Sequence, residues 1–133
     1  MLDHITIGVT DLARSRAFYD AALAPLGLAY MCGEGDRFAG YGDGARAFFW
    51  FGLRDGPQTG MHIAFTASDR ATVDRFHAAA LAAGGTDHGA PGLRPHYNPD
   101  YYGAFVLDPD GHNIEAVCHQ PPSSPAESGA IKQ

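Results

Sequence analysis

The most constraining feature of the chain is that it repeats itself. Shifting the sequence by 58 positions lays His4-Ile5 on His62-Ile63 and Asp11 on Asp69. The same shift brings Phe18 onto Phe76, Ala22 onto Ala80, Leu23 onto Leu81 and Gly27 onto Gly85. One offset thus aligns a strand, a helix start, a helix face and a helix stop, which marks a duplicated module. Any two amphipathic βα units share apolar spacing, but that alone does not place a histidine on a histidine.

Each half opens with an alternating segment. In residues 3–9, Ile5, Ile7 and Val9 share one face, with His4, Thr6 and Gly8 on the other. In residues 61–67, Ile63 and Phe65 stand opposite His62, Ala64 and Thr66. A helix is predicted after each strand, with Asp11 and Asp69 placed to cap its exposed N–H groups. Leu12, Tyr19, Leu23 and Leu26 form the apolar stripe of the first helix, and Pro25 limits its length. Val73, Phe76, His77, Ala80 and Leu81 form that of the second, which Gly84-Gly85 ends.

Three further strands complete each half: near 28–32, 37–41 and 46–53, then near 86–89, 102–107 and 112–118. Gly42-Asp43-Gly44 reads as a hairpin turn and Asp108-Pro109-Asp110-Gly111 as a tight turn. The expected architecture is α+β: two βαβββ modules forming cupped mixed sheets, with helices on the outer face. The expected domain spans 1–119, with repeats at about 1–56 and 57–119 and a Pro/Ser-rich flexible tail over 120–133.

Strand phase then points to chemistry. If the helices cover Ile5/Ile7/Val9 and Ile63/Phe65, His4 and His62 face the opposite, inner surface. In the last strand Ile114 and Ala116 match the covered phase, so Glu115 faces inward beside Asn113 and Val117. A carboxylate on an otherwise apolar strand face is costly unless something pairs with it. Two imidazoles and one carboxylate on one concave side would suit a divalent cation with open positions. A salt bridge from Glu115 to Arg46 or Arg94 is the alternative.

The bulk properties exclude other classes. With 133 residues, 45% of them hydrophobic, the chain can bury a core. A formal charge of −6 with scattered Lys and Arg argues against nucleic acid. No segment approaches the roughly 20 apolar residues of a membrane helix, and the N-terminus does not read as a signal peptide. The expectation is a cytoplasmic protein with no membrane partner. Cys32 and Cys118 read as two buried thiols.

The opening DHITIGVTDLARSRAFYDAALAPLGL, the segment MHIAFTASDRATVDRFHAAALAAGG and the closing FVLDPDGHNIEAV together resemble the vicinal oxygen chelate superfamily. That superfamily includes glyoxalase I, extradiol dioxygenases, fosfomycin-resistance thiol transferases and bleomycin-binding proteins. The resemblance covers residues 1–118. It implies metal ligands at His4, His62 and Glu115, a divalent Fe, Mn, Ni, Co or Zn ion, and a homodimer. A fourth ligand, the Glu that glyoxalase I carries in the last strand of its first half, has no counterpart in ARAFFWFGL, which points away from glyoxalase I itself. His4-x-Thr6 is similar to the fosfomycin transferases, which implies that Thr6 assists substrate binding.

The segment 91–103, PGLRPHYNPDYYG, reads as a substrate loop or as an aromatic plug. As a loop it offers Arg94 for an anionic group and His96, Tyr101 or Tyr102 for proton transfer. Phe48 and Trp50 share one strand face, Phe49 and Phe51 the other. One pair should pack under a helix while the other lines the cup, where Trp50 would meet a substrate. Two functions follow: a metal-dependent lyase, isomerase or dioxygenase acting on vicinal oxygens, or a bleomycin-resistance-like protein that binds a small ligand without chemistry and without a metal.

Overall fold

The computed structural model describes residues 3–54 and 60–122. The first half runs β1 (Ile5–Val9), α1 (Leu12–Ala22), β2 (Ala29–Glu34), β3 (Phe38–Gly42) and β4 (Ala47–Leu53). The second repeats it with β5 (His62–Thr66), α2 (Arg70–Ala82), β6 (Thr86–Leu93), β7 (Tyr102–Leu107) and β8 (Asn113–Cys118). Each half is a four-stranded mixed sheet, ordered β1-β4-β3-β2 and β5-β8-β7-β6. Strands β2, β3 and β4 pair antiparallel, as do β6, β7 and β8, and β1 and β5 add in parallel to β4 and β8. This is the expected pair of βαβββ modules. Of the expected tail, residues 123–133 lie outside the described residues.

The helices start where the aspartates can cap them. Asp11 accepts the Arg14 N–H at 3.0 Å and Asp69 accepts the Thr72 N–H at 2.8 Å. The first helix stops at Ala22, and Ala24-Pro25-Leu26 continue as a single 3-10 turn closed by Gly27 at φ +77°. The covered strand faces are as the alternation requires. Ile7, Val9, Phe49 and Phe51 are buried in the first sheet, and Ile63, Phe65, Val106, Ile114 and Ala116 in the second. Tyr19 of α1 sits 5.0 Å from Phe49 and 5.1 Å from Phe51, ring centre to ring centre, so that pair lies under the helix. Phe48 and Trp50 consequently face the concave side, both half-buried.

The two modules are keyed together by the turn before β8. Asp108 accepts the buried Tyr19 hydroxyl at 2.7 Å, and Asp110 accepts the Thr10 hydroxyl at 2.6 Å. Buried His112 lies with Nε2 3.1 Å from the Gly8 carbonyl. Its Nδ1 accepts the Met61 N–H, so Nε2 carries the proton and donates. Phe49 and Phe65 meet edge to face across the seam at 5.2 Å.

Two expectations need correction. Strand β6 runs to Leu93, through Pro91, so the presumed loop is shorter than 91–103. An edge strand tolerates this, because its outer side needs no N–H donor. Cys32 is exposed, since β2 is also an edge strand and its residues are largely uncovered; only Cys118 is buried.

Candidate functional site

The inner face of the second sheet carries the most distinctive polar cluster. Glu115 is 1% exposed, yet among the described residues no arginine pairs with it. Its Oε1 lies 2.9 Å from Nε2 of His62, and its Oε2 accepts the Tyr101 hydroxyl in a very short hydrogen bond. Local register explains the fit. Glu115 pairs across the parallel ladder with Ala64, whose small side chain leaves room for the His62 ring to lean over. Across the antiparallel ladder it faces Phe105. Gly103 supplies the remaining space: a Cβ there would stand 3.2 Å from both Oε2 of Glu115 and Cε1 of Tyr101.

The cluster forms the floor of a pocket of about 450 Å³ lined by His62, Tyr97, Asn98, Tyr101, Phe105 and Glu115. One wall is a run of rings. His96 packs on Tyr97 at 4.2 Å, Tyr97 on Tyr101 at 4.8 Å, and Tyr101 on His119 at 5.1 Å. Burial, followed by the hydrogen bond to Glu115, pushes the Tyr101 phenol above its ordinary range. It therefore stays protonated at neutral pH and acts toward Glu115 as a donor.

The other expected residues are distributed differently. Tyr102, the first residue of β7 and next in the chain to Tyr101, points to the helix side and donates to Asp74 of α2 at 2.7 Å. It is not in the pocket. Arg94 folds back onto the carbonyls of Gly92 and Ala90, each at 2.8 Å, with its guanidinium 5.4 Å from the Phe105 ring. Its reach is to the pocket's rear wall. His96 is exposed and stands one ring removed from Tyr101. Thr6 and Trp50 are neighbours across the β1–β4 ladder and line a separate cavity on the first sheet.

His4 does not join His62 and Glu115. Its Nδ1 is 2.7 Å from Asp3, whose carboxylate also takes Arg46 at 2.7 Å. The His4 hydrogen bond first, and Arg46 second, hold the Asp3 carboxyl below the usual carboxylate range. Arg46 is thus committed to Asp3, and neither it nor Arg94 pairs with Glu115. Among the described residues no three His, Cys, Asp or Glu side chains stand close enough to hold a metal ion.

The donor atoms of His62 and Glu115 can nonetheless share a cation. Two ligands at about 2.1 Å and a right angle stand about 3 Å apart, close to the 2.9 Å found here.

Sequence reasoning passed over Phe105, His119 and Gly103. The first could have been found from the phase of β7, which places it beside Glu115; the second and third carried no signal of their own.

A pair of cupped βαβββ modules with a carboxylate–imidazole pocket on the inner face defines the class: a two-module small-molecule-binding fold. The chain belongs to the Glyoxalase/Bleomycin resistance protein/Dioxygenase superfamily, whose family profile matches residues 1–116. Among solved structures, a glyoxalase/bleomycin resistance protein from Albidiferax ferrireducens T118 is similar at 34% identity and a TM-score of 0.77, covering 91% of this chain and 99% of its own. A glyoxalase-related enzyme from Fulvimarina pelagi (22% identity, TM-score 0.71, covering 89% and 87%) shares the fold. So does a lactoylglutathione lyase from Agrobacterium tumefaciens (17%, 0.67, covering 89% and 92%). No curated protein sequence matches significantly.

Proposed function

We propose that the chain is a metal-dependent enzyme of the glyoxalase/dioxygenase type acting on a small molecule with two neighbouring oxygens. In this reading His62 and Glu115 of one copy and His4 of a second hold the cation. The observation that carries it is the buried Glu115 carboxylate, whose partners among the described residues are an imidazole and a phenol. A buried carboxylate without a full counter-charge is expensive, and a cation shared with His62 would offset that cost.

When bound, the cation would supply Lewis-acid polarisation of the substrate oxygens. The chain's own groups do the rest. Tyr101 donates to Oε2 and so fixes the carboxylate with Oε1 toward His62. Phe105 and Tyr97 wall the pocket around the buried carboxylate. His96, packed against Tyr97, is an exposed imidazole at the pocket's aromatic wall and the candidate for exchanging protons with solvent.

A second reading, ligand capture without chemistry, is favoured by the aromatic lining of the pocket. Elemental analysis of protein purified without chelator separates the two. Stoichiometric metal, lost in His62→Ala and in Glu115→Ala, is expected for the enzyme. Mixing His4→Ala with Glu115→Ala chains should restore about a quarter of the wild-type metal, because half of a random mixture is heterodimer and each heterodimer has one intact site. Protein without metal, unresponsive to added Fe, Mn, Co, Ni or Zn, would leave only the binding role.

A further inference from the structure

The concave face of the first sheet holds a second cavity, of about 470 Å³, whose lining includes Thr6, Arg37, Phe38, Trp50, Gly52 and Arg54. We propose that it is a binding site for a planar organic anion, specifically an aromatic carboxylate. This requires neither the cation nor a second copy of the chain.

The floor is made for a flat group. Register places Gly40 opposite Trp50 and Gly52 opposite Phe38. A Cβ on Gly40 would come within 2.6 Å of Cζ3 and 2.7 Å of Cε3 of Trp50. The indole therefore lies down on bare β3 backbone, with one face against the sheet and the other turned to the cavity. Phe38 tilts at its edge, 6.1 Å between ring centres. An indole held flat by a missing side chain is a pre-formed stacking platform, with no rotamer freedom left to lose on binding.

The charge identifies the ligand's other end. The chain carries a formal charge of −6, yet among the described residues this cavity is lined by two guanidinium groups and no carboxylate. Arg37 is partly neutralised by Glu34 at 3.1 Å. Arg54 is not: among the described residues no carboxylate pairs with it. Its Nη1 lies 3.8 Å from where a Gly52 Cβ would be, so the side chain arches back over the gap beside Trp50. The guanidinium thus stands level with Gly52, two residues and about 7 Å along β4 from the Trp50 platform. A benzoate ring on the indole would carry its carboxylate in that direction, where a guanidinium can grip it with two parallel hydrogen bonds. Thr6, in register with Trp50 across the ladder, lines the cavity beside the indole.

Trp50 is the chain's one tryptophan, so its fluorescence reads this cavity directly. Titration of the full-length protein with benzoate should give a saturable change, with benzamide binding roughly tenfold more weakly. Arg54→Gln should remove most of that preference, Arg37→Gln less of it, and added salt should weaken benzoate alone. His62→Ala should leave the benzoate titration as it is, so that failure here and failure of the metal reading are seen separately. Equal responses to benzoate and benzamide, a linear collisional response, or undiminished benzoate binding in the Arg37→Gln/Arg54→Gln double variant would overturn the proposal.

Discussion

At the scale of single residues, the buried polar groups carry the sharpest consequences. Tyr19 is fully buried and its hydroxyl is matched to Asp108. Tyr19→Phe keeps the ring packing but strips a buried carboxylate of a donor, so urea unfolding should show a loss of about 1–3 kcal/mol. The phenols of Tyr19 and Tyr41 are pushed above their ordinary value, by burial first and then by Asp108 and Asp20 respectively. A raised folded-state pKa gives stability that is complete below the unfolded value near pH 10 and is lost as pH rises through the folded value. An alkaline titration should accordingly show these two phenols ionising only with loss of the fold; phenolate absorbance appearing for all six tyrosines in still-folded protein would contradict it. Much of the residue scale was legible beforehand. Alternation alone put Glu115 and His62 on one face. It could not distinguish Tyr101 from Tyr102, because neighbouring aromatics on a strand differ only in phase, and that phase needed the start of β7.

At the scale of elements, two glycines that the repeat aligns serve different ends. Gly27 closes the turn after α1 at φ +77°, with open space where a Cβ would be. Gly85 follows Gly84, the left-handed residue that closes α2, and a Cβ on Gly85 would meet Val106 Cγ1 at 2.4 Å and Phe18 Cε1 at 2.7 Å. Gly27→Ala should cost about 1 kcal/mol through backbone strain and leave the aromatic near-ultraviolet dichroism unchanged. Gly85→Ala should cost more, about 1–3 kcal/mol, and alter that signal because Phe18 must give way. Thermal melts of the two variants make the comparison. Elements with period or punctuation were legible: both capped helices, the alternating strands and the two tight turns. The length of β6 was not. Its glycines and Pro91 read as loop, and only pairing with β7 (Gly92 with Gly103, Leu93 with Tyr102) keeps that segment extended.

At the scale of the whole molecule, the halves behave as one body because the second grips the first at Asp108, Asp110 and His112. Val106→Ala, in the core of the second module, should destabilise by about 1–3 kcal/mol. It should shift the urea midpoint of Trp50, in the first module, as far as that of the far-ultraviolet dichroism. A Trp50 midpoint that stays put would mean that the modules unfold separately. The position of His4 relative to His62 belongs to this scale too. Each histidine's face could be read from its own strand, but the placing of one sheet against the other is a tertiary matter that no local pattern encodes. The duplication also has a consequence for divergence. Thr6 faces Trp50 as Ala64 faces Glu115, so the indole and the carboxylate occupy the same rung of two copies of one template. Descendants of such a chain can trade stacking for acidity by exchange at one inward position, while the helix-covered residues that keep the fold stay as they are.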